Sequence, residues 1–244
     1  MHRLLVETAL LSEESPVLPA DAARHLKVLR PKDGEEIELF DGRGSCRTYA
    51  WDSATSLLRA QSNNRTIEQS NKSLTLFACV TKGSRWDWTI EKATELGVTR
   101  IVPVISDRTI VRIPKGERAA KRERWIRIAE DAARQSDAKW LPEIAEAVDF
   151  KDALPLVRET TCFIGALTNP PSPPLVRAIE QSNNQTIEHF SVFIGPEGDF
   201  TPEELRALME IAIPTSFGPT ILRAETAAIY AVSVLSACGQ IRRR

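Results

Sequence analysis

The fold of this 244-residue chain is decided by the stretch VFIGPEGDFTPEE, residues 192–204. Its first three residues are apolar, as in a buried strand, and two glycines follow closely. Thr201 and Glu204 match a capping box, and Pro202 stands at the first helical position, so a helix should begin here. Glycines between a strand and a helix let a ligand approach the backbone. The stretch therefore predicts a ligand site at the carboxyl end of a strand, although an ordinary strand–turn–helix connection would show the same pattern.

The residues around this stretch alternate between strand-like and helix-like patterns. We predict strands at 74–80, 100–105, 162–167, 192–195 and 214–217, and helices at 86–96, 115–135, 202–209 and 225–238. Gly97 is suited to follow the first of these helices, because glycine accepts the left-handed conformation found there. Strands that alternate with helices predict an α/β fold with a parallel sheet.

The first sixty residues show short strands and a single helix instead. Strands are predicted near 3–7, 36–40 and 45–51, and a helix near 21–29 with Asp21 as its candidate N-cap. The turn DGRG, residues 41–44, joins the last two strands as a hairpin. The pattern predicts a small β domain at residues 1–70 and a second domain at 74–244.

The boundary between these domains contains QSNNRTIE, residues 61–68, which recurs as QSNNQTIE at 181–188. Such polar segments cannot form a packed core, and two copies do not make a repeat architecture. Both are interpreted as exposed insertions without a catalytic role.

Composition argues against several kinds of site. The four cysteines and three histidines are scattered, so we expect no metal site and no disulfide framework. The chain has no apolar run of membrane-spanning length and no signal-peptide pattern at its start, so a cytoplasmic protein is expected. Dinucleotide-binding, phosphate-loop and nucleophile-elbow motifs are absent from the sequence.

Basic residues concentrate between Asp107 and Arg127, although the net charge of the chain is only −1. They are Arg108, Arg112, Lys115, Arg118, Lys121, Arg122, Arg124 and Arg127. Such a segment is typical of a surface that binds a nucleic-acid backbone, whereas a solvated helix face would show the same composition.

A second strand end leads through glycine into a helix at FGPTILRAETAA, residues 217–228. The helix is strongly apolar, so it should be buried or lie at a subunit interface. Arg223 and Glu225 stand at its start. Because charges buried without partners are costly, these two either pair with each other or face a ligand.

Three segments, taken in order, resemble one family. KATELGV at 92–98, IGPEG at 194–198 and ILRAETA at 221–227 are similar to segments of the RsmE family, the uridine-N3 methyltransferases of 16S ribosomal RNA in the knotted SPOUT superfamily. Arg3, with HLKVLR at 25–30 and DGRG at 41–44, resembles the RNA-binding β domain of that family. The resemblance covers nearly the whole chain apart from the two Asn/Ser-rich insertions.

The resemblance implies a fold, a cofactor and partners. Residues 74–244 would form a SPOUT α/β domain with a C-terminal trefoil knot, preceded at 1–70 by a PUA-like β-barrel. The cofactor would be S-adenosyl-L-methionine. The partners would be a second copy of the chain in a homodimer, and 16S ribosomal RNA or the assembled small ribosomal subunit.

The resemblance also implies roles for individual residues. Glu225 would be the base or would orient it, and Arg223 would stabilise negative charge on the uracil or grip phosphate. The cofactor would contact Leu167, Thr168, Ile194, Gly195, Pro196, Glu197, Gly198, Phe217, Gly218, Ile221, Leu222 and Thr226. RNA would contact Arg3, His25, Arg30, Arg134 and Gln135.

Two positions depart from the family pattern. Asp199 stands where the family usually has a further glycine, which narrows backbone freedom but could cap the following helix. Thr220 stands where a basic residue commonly precedes Ile-Leu-Arg. Two other functions stay open: a knotted methyltransferase acting on another nucleotide or on transfer RNA, and a non-catalytic RNA-binding protein of the same fold. The retained Arg223, Glu225 and loop glycines favour an enzyme.

Overall fold

The computed structural model describes residues 1–68, 72–157, 160–166, 168, 170–182 and 189–241. The chain forms two compact units, one of residues 1–70 with 130–141 and the other of residues 71–129 with 142–244. Over the described ranges, no helix is long and apolar enough to cross a membrane. Within the same ranges, no three His, Cys, Asp or Glu side chains are grouped as a metal site would require.

The first unit contains a five-stranded sheet and one helix. The strands are β1 (His2–Leu5), β2 (Glu36–Phe40), β3 (Ser45–Asp52), β4 (Leu57–Ala60) and β5 (Arg65–Thr66), and the helix is α1 (Ala20–Leu29). The strand order is β1-β2-β3-β4, with β5 also paired to β3. The β1–β2 pair is parallel and the others are antiparallel.

Two predictions in this unit are confirmed in part. The hairpin turn at 41–44 is present, and the Asp41 carboxylate accepts the backbone N–H groups of Arg43 and Ser45 at 2.8 and 2.9 Å. Helix α1 begins one residue before Asp21, so the prediction of Asp21 as N-cap was wrong. Asp21 lies in the first turn, where a carboxylate is stabilised by the positive end of the helix dipole.

Residues Arg65–Thr66 of the first Asn/Ser-rich segment form strand β5, so that segment is exposed but not without structure.

Residues 130–141 belong to the first unit because they bond to its strands and turn. The Arg3 guanidinium donates to the carbonyl oxygens of Ala133 and Ala138 at 2.7 and 3.1 Å. Gly44 N–H donates to the carbonyl of Lys139 at 2.9 Å. A Cβ atom at Gly44 would overlap the ring of Trp140, so this close approach requires glycine.

The second unit is a three-layer α/β domain. Its strands are β6 (Ser73–Cys79), β7 (Arg100–Ile105), β8 (Glu143–Ile144), β9 (Val148–Asp149), β10 (Thr161–Gly165), β11 (His189–Ile194) and β12 (Ile213–Thr215). Its helices are α2 (Ser84–Glu95), α3 (Arg118–Gln135, of which residues 130–135 belong to the first unit), α4 (Phe150–Ala153), α5 (Leu175–Gln181), α6 (Pro202–Met209) and α7 (Ala224–Ile241). The strands form one parallel sheet in the order β12-β10-β11-β6-β7-β8, with β9 also on β7.

Helices cover both faces of this sheet. Successive side chains of a strand point to opposite faces, so each buried strand contributes to two clusters. On β11, Val192 and Ile194 pack in a cluster with α2, α5 and α7, whereas Phe193 packs in a cluster with α4 and α6. Phe193 stacks on Phe77 of β6 with ring centroids 4.5 Å apart. The predicted α/β class with a parallel sheet is therefore confirmed for this unit.

Several predicted boundaries differ from the structure. Strand β10 begins at Thr161 and ends at Gly165, and β12 ends at Thr215. Helix α3 begins at Arg118, after a 3-10 turn over Lys115–Glu117. The predicted helix end at Gly97 is confirmed, with Gly97 in the left-handed conformation at φ 82°. Gln181 of the second Asn/Ser-rich segment ends α5, and residues 183–188 lie outside the described residues.

Candidate functional site

Three neighbouring strands of the second unit end beside one cavity. Gly165 ends β10, Ile194 ends β11 and Thr215 ends β12, and these strands are adjacent and parallel in the sheet. The loops that follow them border an open cavity of about 510 Å³. The volume lies within the range of small-molecule sites, and carboxyl ends of parallel strands are their usual place in an open sheet.

The cavity is lined by most residues that were predicted to contact a cofactor. These are Ile194, Gly195, Pro196, Glu197, Gly198, Phe217, Gly218, Ile221 and Leu222, together with the predicted catalytic Arg223. Thr168 and Thr226 do not line it, and Leu167 lies outside the described residues. The Thr168 hydroxyl instead bonds to Ser172 at 2.6 Å and to the carbonyl of Pro170 at 2.8 Å.

The cavity has further lining residues that were not predicted to contact the cofactor. They are Gly165, Ala166, Phe193, Asp199, Thr215, Ser216, Thr220, Ala224 and Ala227. Gly165 could have been noticed as a glycine in an otherwise apolar strand. Asp199 and Thr220 were noted only as departures from the family pattern. Thr215 carries no sequence signal, because it reaches the site through the pairing of β10 with β12.

Gly165 and Phe217 are in close contact in the wall of the cavity. A Cβ atom built on Gly165 would overlap the Phe217 ring, with the Cδ2 atom 2.8 Å away. Phe217 also packs on Tyr230 of α7 with ring centroids 5.6 Å apart, which limits how far its ring can move. Position 165 therefore has room only for glycine while Phe217 keeps its place.

The loop after β11 leads into helix α6 as the sequence predicts. Thr201 is the N-cap of α6: its side chain accepts the N–H of Glu204 at 3.2 Å, and the Glu204 carboxylate accepts the N–H of Thr201 at 2.9 Å. Pro202 is the first helical residue. The capping box is therefore confirmed, and it sets the direction in which the chain leaves the cavity.

Asp199 does not cap this helix, contrary to the expectation from the sequence. Its carboxylate accepts the N–H of the next residue, Phe200, at 2.7 Å, while its own N–H donates to the carbonyl of Pro196 at 2.9 Å. The residue has φ 60°, in the left-handed region that glycine adopts most readily. This conformation explains physically why a glycine would suit the position.

The two predicted catalytic residues lie at the start of α7. Arg223 precedes the helix, is exposed and lines the cavity, and Glu225 lies in the first turn. Among the described residues they form no ion pair with each other, so the structural Arg–Glu pair considered from the sequence is not present. Glu225 Oε2 is buried and lacks a hydrogen-bond partner in this part of the chain. A buried carboxylate oxygen without a partner is costly and indicates a group that another molecule satisfies.

Glu197 has a partner outside its own loop. Its carboxylate lies 3.2 Å from Arg85 of α2, with both side chains partly exposed. Because β6, which precedes α2, pairs with β11, the loops after these two strands meet at the same edge of the sheet. The ion pair therefore links the loop after β11 to the start of α2.

The structure separates the predicted RNA contacts into buried and exposed groups. Arg3 is buried: its Nε donates to Glu38 at 2.7 Å, and its guanidinium lies 4.0 Å above the Phe40 ring. Arg3 thus braces the first unit and offers no exposed cation for phosphate, which corrects its assignment to RNA binding. His25, Arg30 and Gln135 are exposed. Arg134 is partly exposed and pairs with Asp131.

Most of the basic segment between Asp107 and Arg127 is bonded within the protein. Arg118 pairs with Asp149, Arg124 pairs with Asp87, and Arg122 donates to the carbonyl of Ile144. Arg108 and Arg112 also donate to backbone carbonyls. Lys115, Lys121 and Arg127 are exposed and make no ion pair among the described residues. The segment therefore presents fewer free cations than its composition suggests.

Two buried thiols are poor candidates for covalent chemistry. Burial raises the pKa of Cys79 and of Cys162 to about 11. A thiol with such a pKa is protonated at neutral pH, and only the thiolate is nucleophilic.

The chain is similar to proteins that methylate RNA. The model of the RNA methyltransferase domain matches residues 68–236, and that of the RNA methyltransferase PUA domain matches residues 18–49. Ribosomal RNA small subunit methyltransferase E of Bacillus subtilis is 27% identical over 97% of this chain and 96% of its own length. That of Synechocystis sp. is 31% identical over 97% of this chain and 77% of its own length. A crystal structure of ribosomal RNA small subunit methyltransferase E from Neisseria gonorrhoeae, bound to S-adenosyl methionine, has a TM-score of 0.83 at 29% identity and covers 98% of both chains.

Proposed function

Since the chain belongs to the RNA methyltransferase family, with small-subunit ribosomal RNA methyltransferases among its relatives, we propose that it methylates N3 of a uridine in 16S ribosomal RNA. Membership of the family makes it a ribosomal RNA methyltransferase that depends on S-adenosylmethionine. The target atom, the roles of individual residues, the knot and the dimer are our proposal.

One observation carries the proposal: the cavity at the ends of β10, β11 and β12 suits S-adenosylmethionine. Glycines at 165, 195, 198 and 218 leave backbone N–H and C=O groups accessible around it. Its lining carries both acidic side chains, Glu197 and Asp199, and the basic Arg223. A ligand with a cationic centre, an ammonium, a carboxylate and ribose hydroxyls needs such a mixture of donors and acceptors.

The cofactor supplies an electrophilic methyl group on a sulfonium, so the protein needs to position a nucleophile and remove its proton. Uridine N3 carries a proton that must leave before or as the methyl is accepted. Glu225 accepts that proton or orients the group that does, and its unpaired Oε2 is the atom available for this bond. Arg223, at the mouth of the cavity, stabilises negative charge on the uracil oxygens.

The same proposal covers the architecture. Residues 1–70 act as a PUA-like RNA-binding β-barrel domain, in line with the matched PUA model, and residues 74–244 as a SPOUT domain with a C-terminal trefoil knot. Two copies form a homodimer through apolar helix α7, whose Ile229 and Val234 are only partly buried in one copy. His25, Arg30, Arg134 and Gln135 contact RNA, and the exposed cations Lys115, Lys121 and Arg127 lie near phosphate. The cytoplasmic location expected from the sequence stays a prediction.

Methyl transfer followed by nucleoside analysis tests the proposal. Purified protein is incubated with methyl-labelled S-adenosylmethionine and either naked 16S ribosomal RNA or small subunits that lack the modification, and the RNA is digested to nucleosides. We expect the label to elute as 3-methyluridine. Label in another nucleoside would overturn the N3 assignment. Bound RNA without transferred label would favour the non-catalytic alternative.

A further inference from the structure

Arg108 hydrogen-bonds to the backbone on both sides of Asp199, the residue with left-handed backbone in the Gly195–Phe200 loop. Its Nη1 donates to the carbonyl oxygen of Gly198 at 3.0 Å and to that of Phe200 at 3.3 Å, on either side of Asp199. The Cβ of Arg108 also lies 3.5 Å from the place where a Cβ on Gly198 would stand, which is ordinary packing contact. A single guanidinium thus binds the backbone both before and after Asp199.

This contact comes from a distant part of the sheet. Arg108 follows β7, and β7 is separated from β11 by β6 in the strand order. A second bond from the loop after β7 reaches the first turn of α6, where the N–H of Asp107 donates to Glu204 Oε1 at 2.9 Å. The loop after β7 therefore reaches across the edge of the sheet to hold the loop that borders the cavity.

The loop that carries Arg108 is itself fixed. Arg112 donates to the carbonyl oxygens of Ser106 and Asp107 at 3.0 and 2.6 Å. The Thr109 hydroxyl accepts the N–H of Ser106 at 3.0 Å and lies 2.9 Å from its hydroxyl. Ser106 and Thr109 are almost completely buried. Arg108 is therefore presented from a rigid base.

The two hydrogen bonds from Arg108, called the clamp below, matter because of the backbone conformation of Asp199. Left-handed backbone costs energy for a residue that carries a Cβ atom, whereas glycine adopts it readily. The resemblance stated above has glycine at this position, and this chain has aspartate. Without an external restraint, a loop with aspartate here would spend less time in the conformation that shapes the cavity.

We propose that Arg108 is a positioning residue that holds the Gly195–Phe200 loop in its cofactor-binding conformation by spanning the left-handed Asp199. It acts through the backbone of the loop and does not touch the cofactor, since it does not line the cavity. The proposal rests on the proposed function only in taking the cavity as the S-adenosylmethionine site. It gives Arg108 a role in shaping the cofactor site, whereas the composition of the basic segment suggested contact with RNA.

Titration with S-adenosylhomocysteine tests the proposal on the full-length protein. Arg108→Met should weaken binding by about tenfold, because the loss of two bonds from a charged donor frees the loop. Arg206→Met is the matched control, since Arg206 is exposed on α6 and makes no hydrogen bond or ion pair with the Gly195–Phe200 loop among the described residues. It should bind as the wild type does. Arg108→Lys, which keeps the charge but lacks the planar fork, should lose affinity to an intermediate degree.

The same titration in a glycine background tests the role of Asp199. Arg108→Met should cost less affinity when combined with Asp199→Gly than it does alone, because glycine reaches φ 60° without a restraint. An equal loss in both backgrounds would overturn the link to Asp199. If Arg108→Met binds S-adenosylhomocysteine normally but has a raised KM for RNA, the residue contacts RNA and the proposal fails. Absence of binding by the wild type would instead count against the proposed function itself.

Discussion

Gly165 lies directly against the Phe217 ring, at a distance that leaves no space for a methyl group between them. The two residues are brought together by the parallel pairing of β10 with β12, and both line the cavity. The shape of the cavity therefore depends on a contact between two residues that are far apart in sequence.

Gly165→Ala should abolish or strongly weaken the binding of S-adenosylhomocysteine, because the added methyl must displace Phe217. Overpacking of this kind also destabilises by about 1–3 kcal/mol, which thermal unfolding would detect. Gly116→Ala is the matched control, since a Cβ there meets nothing within 4 Å. Equal affinity of the Gly165 variant and the wild type would show that the cavity is not the cofactor site.

Glu225→Gln should lower kcat by about a hundredfold and leave the affinity for S-adenosylhomocysteine nearly unchanged. The reason is that Glu225 does not line the cavity but is proposed to receive the N3 proton. The measurement is single-turnover methyl transfer at saturating cofactor. Glu203→Gln, an exposed carboxylate in the first turn of α6, is the control. A Glu225→Gln enzyme with the wild-type rate would remove this residue from the mechanism.

Arg223→Ala should reduce methyl transfer by about a hundredfold without lowering the melting temperature. The side chain is exposed and makes no ion pair among the described residues, so little stability depends on it. Arg177→Ala, which removes an exposed arginine of α5, should leave the rate unchanged. If the two variants have the same rate, Arg223 has no part in transfer.

Glu38 should make the stability of the first unit depend on acid pH. Burial raises its pKa, but the hydrogen bonds from Lys139 and Arg3 outweigh burial, and the pKa is lowered overall. The stabilisation is therefore complete above the unfolded-state pKa of Glu38 and is lost as the pH falls through the lower folded-state pKa. At neutral pH, Glu38→Gln should reduce the free energy of unfolding by about 3 kcal/mol, because it removes the buried carboxylate that pairs with Arg3 and leaves only the exposed carboxylate of Asp137, 3.2 Å away.

Urea denaturation of the wild type and Glu38→Gln at neutral and at acid pH measures this effect. The difference between the two proteins should shrink as the pH falls. Glu36→Gln on the same strand, where the side chain is exposed, should differ little from the wild type at any pH. A difference for Glu38→Gln that is the same at every pH would contradict the account.

Local signals allowed some of these features to be predicted from the sequence. The capping box needs only Thr201 and Glu204, three residues apart, and the hairpin at 41–44 needs only its own four residues. The α/β class follows from the alternation of buried strands with helices. In each case the interaction that decides the structure lies within a few residues of chain.

Other features could not be predicted, because their partners are distant in sequence. Arg3 was interpreted as an RNA contact, yet its guanidinium binds Glu38 and the carbonyl of Ala133, 35 and 130 positions away. The clamp of Arg108 on Gly198 spans 90 positions. Glu225 was singled out as a charged group at the start of an apolar helix, and its catalytic role stays a prediction. That it forms no pair with Arg223 among the described residues is visible only in the structure.

The most direct test of the account is whether the cavity at the ends of β10, β11 and β12 binds the cofactor. Isothermal titration of the wild type with S-adenosylhomocysteine should give one site per chain. Gly195→Trp should abolish that site while circular dichroism shows an intact fold, because the indole would occupy the cavity. Gly116→Trp should bind normally. Absence of binding by the wild type, or undiminished binding by Gly195→Trp, would contradict the account.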